Sequence, residues 1–375
     1  MTDRRSFLLA SPLLASLLRA QPEEGFRPLF DGRTLNGWRV REGPSSAFYV
    51  EDGAIVAHRS SNYPTWLSTA RVFENFDFRC EFFLQGWSDS GVYIQAPEHG
   101  PPSAAGFKIN IFHQVDKEPK PESMGSIFPL VAPRLVNVRS KGEWNSMRIL
   151  MDWPRLRVWV NGEMVQDLDV ETHAELRHRL RSGYIGLESL SYPVRFRNLR
   201  VRELPAKEKW EVLYEKPEDF AKWFVSEGDP KFDALGEVLY ADGLGHIATK
   251  EKYKDFELHL YIRADQFHNG GVLFRSSGHG LKGDRYEIQL HNVPESHYPT
   301  GSLYYFKRAR YPKIEDYKWF LMQLWVKGPN CLVRINGETV LEYGKLEILG
   351  EGHIELQGHR MGKWTEFKKV RIKRL

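Results

Sequence analysis

The amino-acid sequence predicts an all-β protein made of two tandem β-sandwich or jelly-roll domains. Short runs that alternate apolar and polar residues occur throughout the chain and are bounded by Gly, Pro, Asn or Asp, as is typical of antiparallel strands. No long stretch has the apolar period of a helix. A series of motifs in the first half returns in the same order in the second half, and 375 residues are too many for one typical core.

The strand predictions rest on local patterns. The clearest alternating runs are Phe78–Leu84, Met147–Met151, Arg157–Val160, Glu257–Ile262 and Met322–Val326. Asn-Gly pairs at 161–162 and 336–337 stand between such runs and predict two-residue hairpin turns, in which both central residues need a positive φ. Short helices are expected at 170–180 and 217–224.

The internal repeat defines the domain organisation. SDSGVYIQ at 88–95 matches HNGGVLFR at 268–275, and FKINIFHQ at 107–114 matches YEIQLHNV at 286–293. Further pairs follow in the same order at 124–128 and 300–304, 158–168 and 333–343, and 184–190 and 353–359. Each copy is too long for a solenoid repeat, so we expect one domain over residues 21–204 and a second over 205–375.

Residues 1–20 have the features of an export signal. Arg4 and Arg5 resemble a twin-arginine export motif, an apolar run follows over 7–18, and Ala20 suits a cleavage point. The run is too short to span a bilayer. We therefore expect a periplasmic or secreted mature protein without a stable membrane anchor.

Composition narrows the class of function. Hydrophobic residues make up 41% of the chain, which is enough for packed cores, and the formal net charge is only +4. The basic residues are spread along the chain, so nucleic acid is not expected as a partner. Cys80 and Cys331 fall one in each copy, so neither domain can hold an internal disulfide, and both are interpreted as buried apolar residues.

Two stretches of the second copy carry an unusual amount of polar chemistry. Alternation over 286–291 places Glu287, Gln289 and His291 on one face of a strand and three apolar side chains on the other. Alternation over 353–359 likewise places polar side chains on one face. Those side chains are His353, Glu355, Gln357 and His359. Each face is either a solvated strand surface or a surface that binds a polar ligand, and the recurrence of the pattern favours ligand binding.

The chain resembles the 3-keto-disaccharide hydrolase domain family, whose fold is a concanavalin A-like jelly roll. The matching motifs are FRPLFDGRTLNGW at 26–38, SGVY at 90–93, GEWNSMRI at 142–149, VNG at 160–162 and VRFRNLRVREL at 194–204. The resemblance covers both copies. It implies a concave sheet that binds an oligosaccharide or glycoside whose C3 hydroxyl is already oxidised to a ketone.

The resemblance also implies roles for residues of the second copy. These match the family at Arg275, Tyr286, Glu287, Gln289, Leu356, Gln357 and His359. Glu287 is the expected base for the acidic C2 hydrogen, Arg275 or a metal would stabilise the enolate, and His359 would protonate the leaving oxygen or bind that metal. Gln289 and Gln357 would orient sugar hydroxyls.

The remaining candidates are less defined. His291 would add to the substrate-binding face, and Glu355 stands where the family has glycine, so it would either add a second carboxylate or narrow the cleft. A face of carboxylates and imidazoles suits a divalent cation such as calcium, manganese or zinc, although no tight metal motif is present. His268, His279 and His297 are weaker candidates nearby.

The first copy departs from the family in its chemistry. It has Gln95 for the arginine, Lys108 for the glutamate and Asn110 for the glutamine, and it lacks the histidine. We therefore expect the first domain to be non-catalytic and the site to lie in the second, although the opening of the second copy matches the family poorly.

Two alternatives to an enzyme stay open at this point. A lectin-like module would stack sugars on aromatic residues, for which the candidates are Trp87, Trp153, Trp319, Tyr304 and Tyr305, although core packing is the more common role of such residues. A cell-surface assembly component with two degenerate copies is the other.

Overall fold

The computed structural model describes residues 24–57, 65–114, 116–190 and 193–375. Two β-sandwiches follow one another along the chain, and residues 205–210 connect them. Each sandwich consists of one large and one five-stranded antiparallel sheet. This confirms the predicted all-β fold class. The predicted export signal lies outside the described residues.

The first sandwich is built from short strands. They are β1 (Arg27–Pro28), β2 (Trp38–Arg41), β3 (Phe48–Glu51), β4 (Ala54–Ala57), β5 (Thr65–Thr69), β6 (Asn75–Leu84), β7 (Asp89–Ala96), β8 (Phe107–Phe112), β9 (Trp144–Asp152), β10 (Arg155–Val160), β11 (Glu163–Asp169), β12 (Tyr184–Ser189) and β13 (Val194–Leu204). Its helical segments are a 3₁₀ turn at Ser45–Ala47, α1 (Pro102–Ala105) and a 3₁₀ turn at Val170–Thr172.

The second sandwich repeats this arrangement. Its strands are β14 (Glu211–Tyr214), β15 (Trp223–Gly228), β16 (Lys231–Leu235), β17 (Val238–Asp242), β18 (Gly245–Thr249), β19 (Phe256–Ala264), β20 (Gly270–Ser276), β21 (Tyr286–Leu290), β22 (Phe320–Lys327), β23 (Asn330–Ile335), β24 (Glu338–Tyr343), β25 (His353–Gly358) and β26 (Thr365–Arg374). The 3₁₀ turns are Pro217–Lys222 and Gly280–Lys282.

The two sandwiches have the same strand order. The large sheets run β11-β10-β9-β6-β13-β4-β3 and β24-β23-β22-β19-β26-β17-β16, with β1 and β14 added beside β13 and β26. The small sheets run β2-β5-β12-β7-β8 and β15-β18-β25-β20-β21. Matched positions of the two domains can therefore be compared strand by strand.

A separate core lies between the two sheets of each domain. On β6 the alternate residues Phe76, Phe78, Cys80, Phe82 and Leu84 all point into the first core. Period-two alternation thus fixes which face of each strand is buried, because a one-residue slip would place the polar set inside. Cys80 and Cys331 are both buried and unpaired, as expected from their sequence positions.

Local turn chemistry agrees with the sequence at the hairpins. Asn161 and Gly162 have φ values of 50° and 84°, and Asn336 and Gly337 have 49° and 84°. The helix predicted over 170–180 is wrong beyond Thr172, where turns replace it. That segment is held by contacts with the second domain, such as the bond from Gln323 Nε2 to the His178 carbonyl (3.0 Å), and these override its local preference.

The outer face of the second domain's large sheet packs against the first domain. Glu98 pairs with Lys368 (3.0 Å) and Lys369 (2.5 Å), and the His99 ring stacks on Trp319 with centroids 5.9 Å apart. These polar pairs stand beside an apolar cluster that both domains share, formed by Ala105, Leu180, Tyr261 and Leu321. Across the described ranges, no helix is long and apolar enough to cross a membrane.

The turn at Gly337 provides a test of the domain contact. A Cβ added at Gly337 would lie 2.3 Å from the Ala104 backbone of the first domain, so Gly337→Ala must displace that contact. Both this clash and the left-handed backbone oppose alanine, and the backbone alone costs about 1–2 kcal/mol. We expect a lower midpoint of thermal unfolding.

Gly162→Ala is the matched control. Gly162 has the same φ in the same hairpin of the first domain, and an added Cβ would meet nothing within 4 Å. Circular dichroism melts should show a larger loss for Gly337→Ala than for Gly162→Ala. Equal losses would mean that the turn does not hold the domains together.

Candidate functional site

Strand β21 places its side chains as the sequence predicts. Tyr286, Ile288 and Leu290 point into the core of the second domain, while Glu287 and Gln289 point to the opposite face of the small sheet. His291 follows directly after the strand. Both Tyr286 Oη and the apolar contacts of this strand tie it to the rest of the sandwich, since that hydroxyl accepts from the backbone N–H of Glu347 (2.6 Å).

Strand β20 separates β21 from β25 and sets the spacing of the site. Leu273 pairs with Glu287 on one side and with Glu355 on the other. Directly paired residues of antiparallel strands point to the same face, so the two glutamates share one face of the small sheet. Gln357 lies on that face as well, opposite His246 of β18.

The shared face forms the floor of a cavity of about 410 Å³. Its lining residues are Asn269, Leu281, Glu287, Gln289, His291, Ser296, His297, Tyr298, Tyr304, Gln357 and His359. The structure therefore brings together five residues proposed from the sequence, namely Glu287, Gln289, His291, Gln357 and His359. Their chemical roles stay predictions.

Glu287 is the carboxyl group among these lining residues, and its pKa is raised. It is only 6% exposed, and burial raises its pKa to about 7, against weaker opposing effects of Arg285 and His246. Gly271 on β20 leaves room for the Glu287 side chain, because a Cβ at residue 271 would lie 2.6 Å from Glu287 Oε1. A carboxyl group that titrates near neutrality suits proton transfer.

Glu355 has the opposite environment beneath the cavity. Burial alone would raise its pKa, but hydrogen bonds from His246, Ser276 and Ser226 outweigh burial and hold the pKa below its usual value. The Ser226 hydroxyl donates to Oε2 at 2.9 Å, and Ser276 donates to Oε1. Glu355 is fully buried and is absent from the cavity lining, so it neither faces a substrate as a second carboxylate nor narrows the cleft.

His246 connects Glu355 to the cavity and was not identified from the sequence. Gln357 Nε2 lies 3.1 Å from His246 Nε2, and His246 Nδ1 lies 3.2 Å from Glu355 Oε2. A proton on Nδ1 allows His246 to donate to Glu355 while it accepts from Gln357. The alternation in GHIAT at 245–249 puts His246 on the polar face, but the face alone does not reveal its partners.

Two of the three histidines that line the cavity, His291 and His359, are poor proton donors at neutral pH. Burial, followed by the nearby His359, lowers the pKa of His291. Burial, followed by Arg360 and His246, lowers the pKa of His359. Both imidazoles are therefore mainly uncharged near pH 7 and can act as hydrogen-bonding groups.

Arg275 is not brought to the cavity. It has a φ of 46° at a bulge between Leu273 and Ser276, which turns its side chain away from the Glu287 face. Its guanidinium donates to the carbonyls of Lys254 (3.0 Å) and Ile348 (2.8 Å) and to Asp255 (3.0 Å). The expectation that Arg275 stabilises an enolate is therefore replaced by a structural role.

The first domain uses its matching residue in the same structural way. Gln95 also has a positive φ, and its Nε2 donates to the carbonyls of Glu74 (3.0 Å) and Arg181 (2.8 Å). An arginine and a glutamine at this bulge thus serve to bind backbone carbonyls, which explains why the position does not distinguish a catalytic copy from a non-catalytic one.

The first domain fills the position of the cavity with an ion pair. Lys108 occupies the register position of Glu287, and Glu188 occupies that of Gln357. Lys108 Nζ lies 2.6 Å from Glu188, Tyr93 also donates to Glu188, and the Phe128 ring covers the ammonium at 4.7 Å. Lys108 and Glu188 are each 4% exposed. The first domain thus has a buried ion pair where the second domain has Glu287 and Gln357.

Metal ligation receives no support from the geometry. In the part of the chain that the structure describes, no group of three or more His, Cys, Asp or Glu side chains is placed to hold a metal ion. His268 is buried against Thr365, and His353 Nδ1 lies 2.6 Å from the Thr249 carbonyl. Of the weaker histidine candidates, His297 is the one that the cavity lining includes.

The aromatic candidates fall into different environments. Trp153 is buried, and Trp319 lies partly buried at the domain contact. Trp87 is exposed on the first domain. Tyr304 lines the cavity, and Tyr305 stands next to it with 72% of its surface exposed.

A larger cavity of about 720 Å³ lies at the junction of the domains. Its charged groups are occupied with one another, as Glu257 bonds His259 (2.9 Å) and Lys373 (3.1 Å). Trp325 on its floor contacts His178. We place the functional site at Glu287 because burial raises its pKa to about 7. At Glu257, in contrast, burial is outweighed by the hydrogen bond with His259 together with nearby positive charges, which hold that pKa well below its usual value.

Comparison with known proteins identifies one domain family in both halves of the chain. The family model of the 3-keto-alpha-glucoside-1,2-lyase-like domain matches residues 25–202 and 208–373. A 3-keto-disaccharide hydrolase from Bacteroides thetaiotaomicron is 22% identical over 229 residues, which cover 48% of this chain and 79% of that protein.

Solved structures are also similar to part of this chain. Two candidate glycosyl hydrolases from Parabacteroides distasonis match with 20% and 23% identity and TM-scores of 0.42 and 0.41. Each match covers 48% of this chain, and the matches cover 95% and 99% of the respective structures.

The raised pKa of Glu287 predicts a stability effect with a definite sign. The folded protein binds this proton more tightly than an ordinary glutamate with a pKa of 4.5 does, so the ionised carboxylate destabilises the fold. The cost begins as pH rises above 4.5 and is complete above about 7. Glu287→Gln removes it, and we expect a gain in unfolding free energy of about 3 kcal/mol at pH 8 that disappears at pH 4.5.

Denaturant titrations at a series of pH values measure this difference. Glu351→Gln, at an exposed glutamate of the same domain, is the control and should show no such growth with pH. A Glu287→Gln difference that is independent of pH would contradict the raised pKa.

Proposed function

Because the chain belongs to the family of 3-keto-alpha-glucoside-1,2-lyase-like domains, we propose that its second domain cleaves glycosidic bonds of sugars that carry a ketone at C3. The observation that carries this proposal is Glu287, a buried carboxyl group with a pKa of about 7 on the floor of a polar cavity. The first domain is proposed to be non-catalytic.

The reaction requires one base and a stabilised oxyanion. The C3 ketone acidifies the C2 hydrogen, so the Glu287 carboxylate takes that proton and the electron pair becomes an enolate with its charge on the ketone oxygen. Reformation of the ketone expels the C1 oxygen, which leaves with the aglycone and takes up a proton from solvent water. A C1–C2 double bond remains, and addition of water to it gives net hydrolysis.

Neutral donors of the cavity would stabilise the enolate. Arg275 is engaged elsewhere, so this role falls to His359 and to the amide of Asn269, whose Oδ1 already accepts from Gln289 Nε2 at 2.5 Å. Such fixed donors act most strongly where water is excluded. Gln357 is oriented by His246 and would hold a sugar hydroxyl.

A conventional glycosidase mechanism has less support. It needs two carboxyl groups that face the scissile bond, one of them protonated. Glu355 shares the sheet face with Glu287, but it is hydrogen-bonded on both oxygens and its pKa is lowered. A substrate activated by its own ketone needs no second carboxyl group, which is why the keto sugar fits this site better.

Activity measurements on a chromogenic 3-keto-glucoside test the proposal. We expect kcat/KM to rise about tenfold per pH unit below pH 7 and to level off above it, because the base must be deprotonated. Glu287→Gln should lose turnover by at least about 100-fold while it retains substrate binding in calorimetry. Glu351→Gln should behave as wild type.

The unoxidised parent glucoside and a chelator are the controls. Cleavage of the parent at a similar rate would point to a conventional glycosidase. Loss of activity with chelator would support the divalent cation expected from the sequence. Binding of both sugars without cleavage of either would instead favour a lectin-like module.

We also propose that the mature protein is exported, on the basis of Arg4, Arg5 and the apolar run that follows them. Replacement of both arginines by lysine should retain the protein in the cytoplasmic fraction if a twin-arginine route is used. Unchanged export would point to a general secretory signal, and a cytoplasmic wild-type protein would refute the proposal.

A further inference from the structure

One wall of the Glu287 cavity is an aromatic surface that the proposed chemistry at C2 does not use. Tyr298 and Tyr304 line the cavity together with Leu281, and their ring centroids are 5.2 Å apart. Tyr305 extends the surface outward, with its ring 4.2 Å from that of Tyr304 and 72% exposed. We name Tyr298, Tyr304 and Tyr305 the tyrosine platform.

The platform is anchored to the strand that carries Glu287. The Tyr304 backbone N–H donates to the Glu287 carbonyl at 2.9 Å. Leu303 forms bridges to Ile288 and to Lys307, which fix the turn. Tyr305 has a φ of 65°, an uncommon conformation for a bulky residue. Strained residues persist where surrounding contacts hold them, and they concentrate at functional sites.

The first domain has the same turn with a different outcome. Phe128 N donates to the Lys108 carbonyl at 2.9 Å, which matches the bond from Tyr304 to Glu287. The Phe128 ring then lies over the Lys108 ammonium and covers it. Pro129 follows where the second domain has Tyr305. The exposed ring of Tyr305 therefore occurs in the domain with the open cavity and has no counterpart at this position of the first domain.

Leu281 adds an apolar side chain to the cavity. It lines the cavity and is 43% exposed. A second sugar would need hydrogen-bonding partners for its hydroxyl groups in this region. A planar apolar group instead gains from stacking and from burial of its surface.

We propose that the tyrosine platform binds the aglycone and that the aglycone is aromatic. This inference rests on the proposed function, because it assigns the group attached to C1 of the same keto sugar. The sugar ring would lie over Glu287 and Gln357, and the aryl group would lie against Tyr304 and Tyr305.

The protonation states of His291 and His359 agree with an aryl leaving group. His291 and His359 are mainly uncharged near pH 7, because burial lowers the pKa of each. A phenol has a pKa of about 10 and departs as a fairly stable anion, so it depends less on proton donation than an alcohol does.

Kinetics on Tyr305→Ala test the assignment. The substrates are three 3-keto-glucosides that carry p-nitrophenyl, methyl and glucosyl groups at C1. Because each variant is compared with wild type on the same substrate, the intrinsic leaving ability cancels. We expect kcat/KM for the aryl substrate to fall about 3- to 10-fold, chiefly through KM, with less than about 2-fold change for the other two.

Two variants guard against a merely structural effect. Tyr305→Phe keeps the ring and should restore the aryl kinetics. Tyr49→Ala removes an exposed tyrosine of the first domain and should leave all three substrates unchanged. Equal losses on the aryl and methyl substrates would overturn the inference, and a loss confined to the glucosyl substrate would assign the platform to a second sugar.

Calorimetry separates failure of this inference from failure of the proposed function. If wild type cleaves none of the three compounds, the proposed function fails. Titration of p-nitrophenyl and methyl glucosides then still examines the platform directly. Tighter binding of the aryl compound that Tyr305→Ala abolishes would support the platform, and equal binding of both compounds would overturn it.

Discussion

Burial of the Glu287 carboxyl group is the constraint on which the candidate site depends. A carboxylate is poorly tolerated away from water, and here the folded protein accepts it by shifting its proton affinity toward neutrality. The absence of a side chain at Gly271 leaves room for the Glu287 side chain. The pairing of Leu273 with Glu287 fixes where Glu287 lies along the sheet. The core packing of Tyr286, Ile288 and Leu290 on the reverse face holds the strand in that register.

The repeat shows how one frame accepts two electrostatic solutions. Gly91 and Gly271 each leave room for a long charged side chain on the neighbouring strand, Lys108 in one domain and Glu287 in the other. Lys108 finds an opposite charge on the next strand but one, whereas Glu287 faces the neutral amide of Gln357. An opposite charge stabilises the ionised form of a buried group, whereas a buried carboxylate without one has a raised pKa. The difference between the domains is thus one of pairing rather than of scaffold.

Sequence patterns predicted the part of this site that alternation controls. The period of two residues predicts which side chains of β21 and β25 lie on the polar face and which lie in the core behind it. Arg275 could not be placed in this way, because the bulge adds a residue and reverses the face beyond Phe274. The Glu355 environment was equally inaccessible, since His246, Ser226 and Ser276 come from three other strands. Their convergence depends on the strand order, which local pattern does not contain.

The polar part of the contact between the domains reflects how the second domain uses the outer faces of its two sheets. The small sheet of the second domain keeps its polar face for the cavity, so its large sheet is the face left for the first domain. That face brings Glu257, His259 and Gln323 to the junction, and these groups find partners in Lys373 and in the His178 carbonyl. Interfaces between domains of one chain resemble transient protein–protein interfaces, which are more polar than obligate ones. The short connection over 205–210 keeps the partners at a high effective concentration, so even modest contacts suffice to hold the domains together.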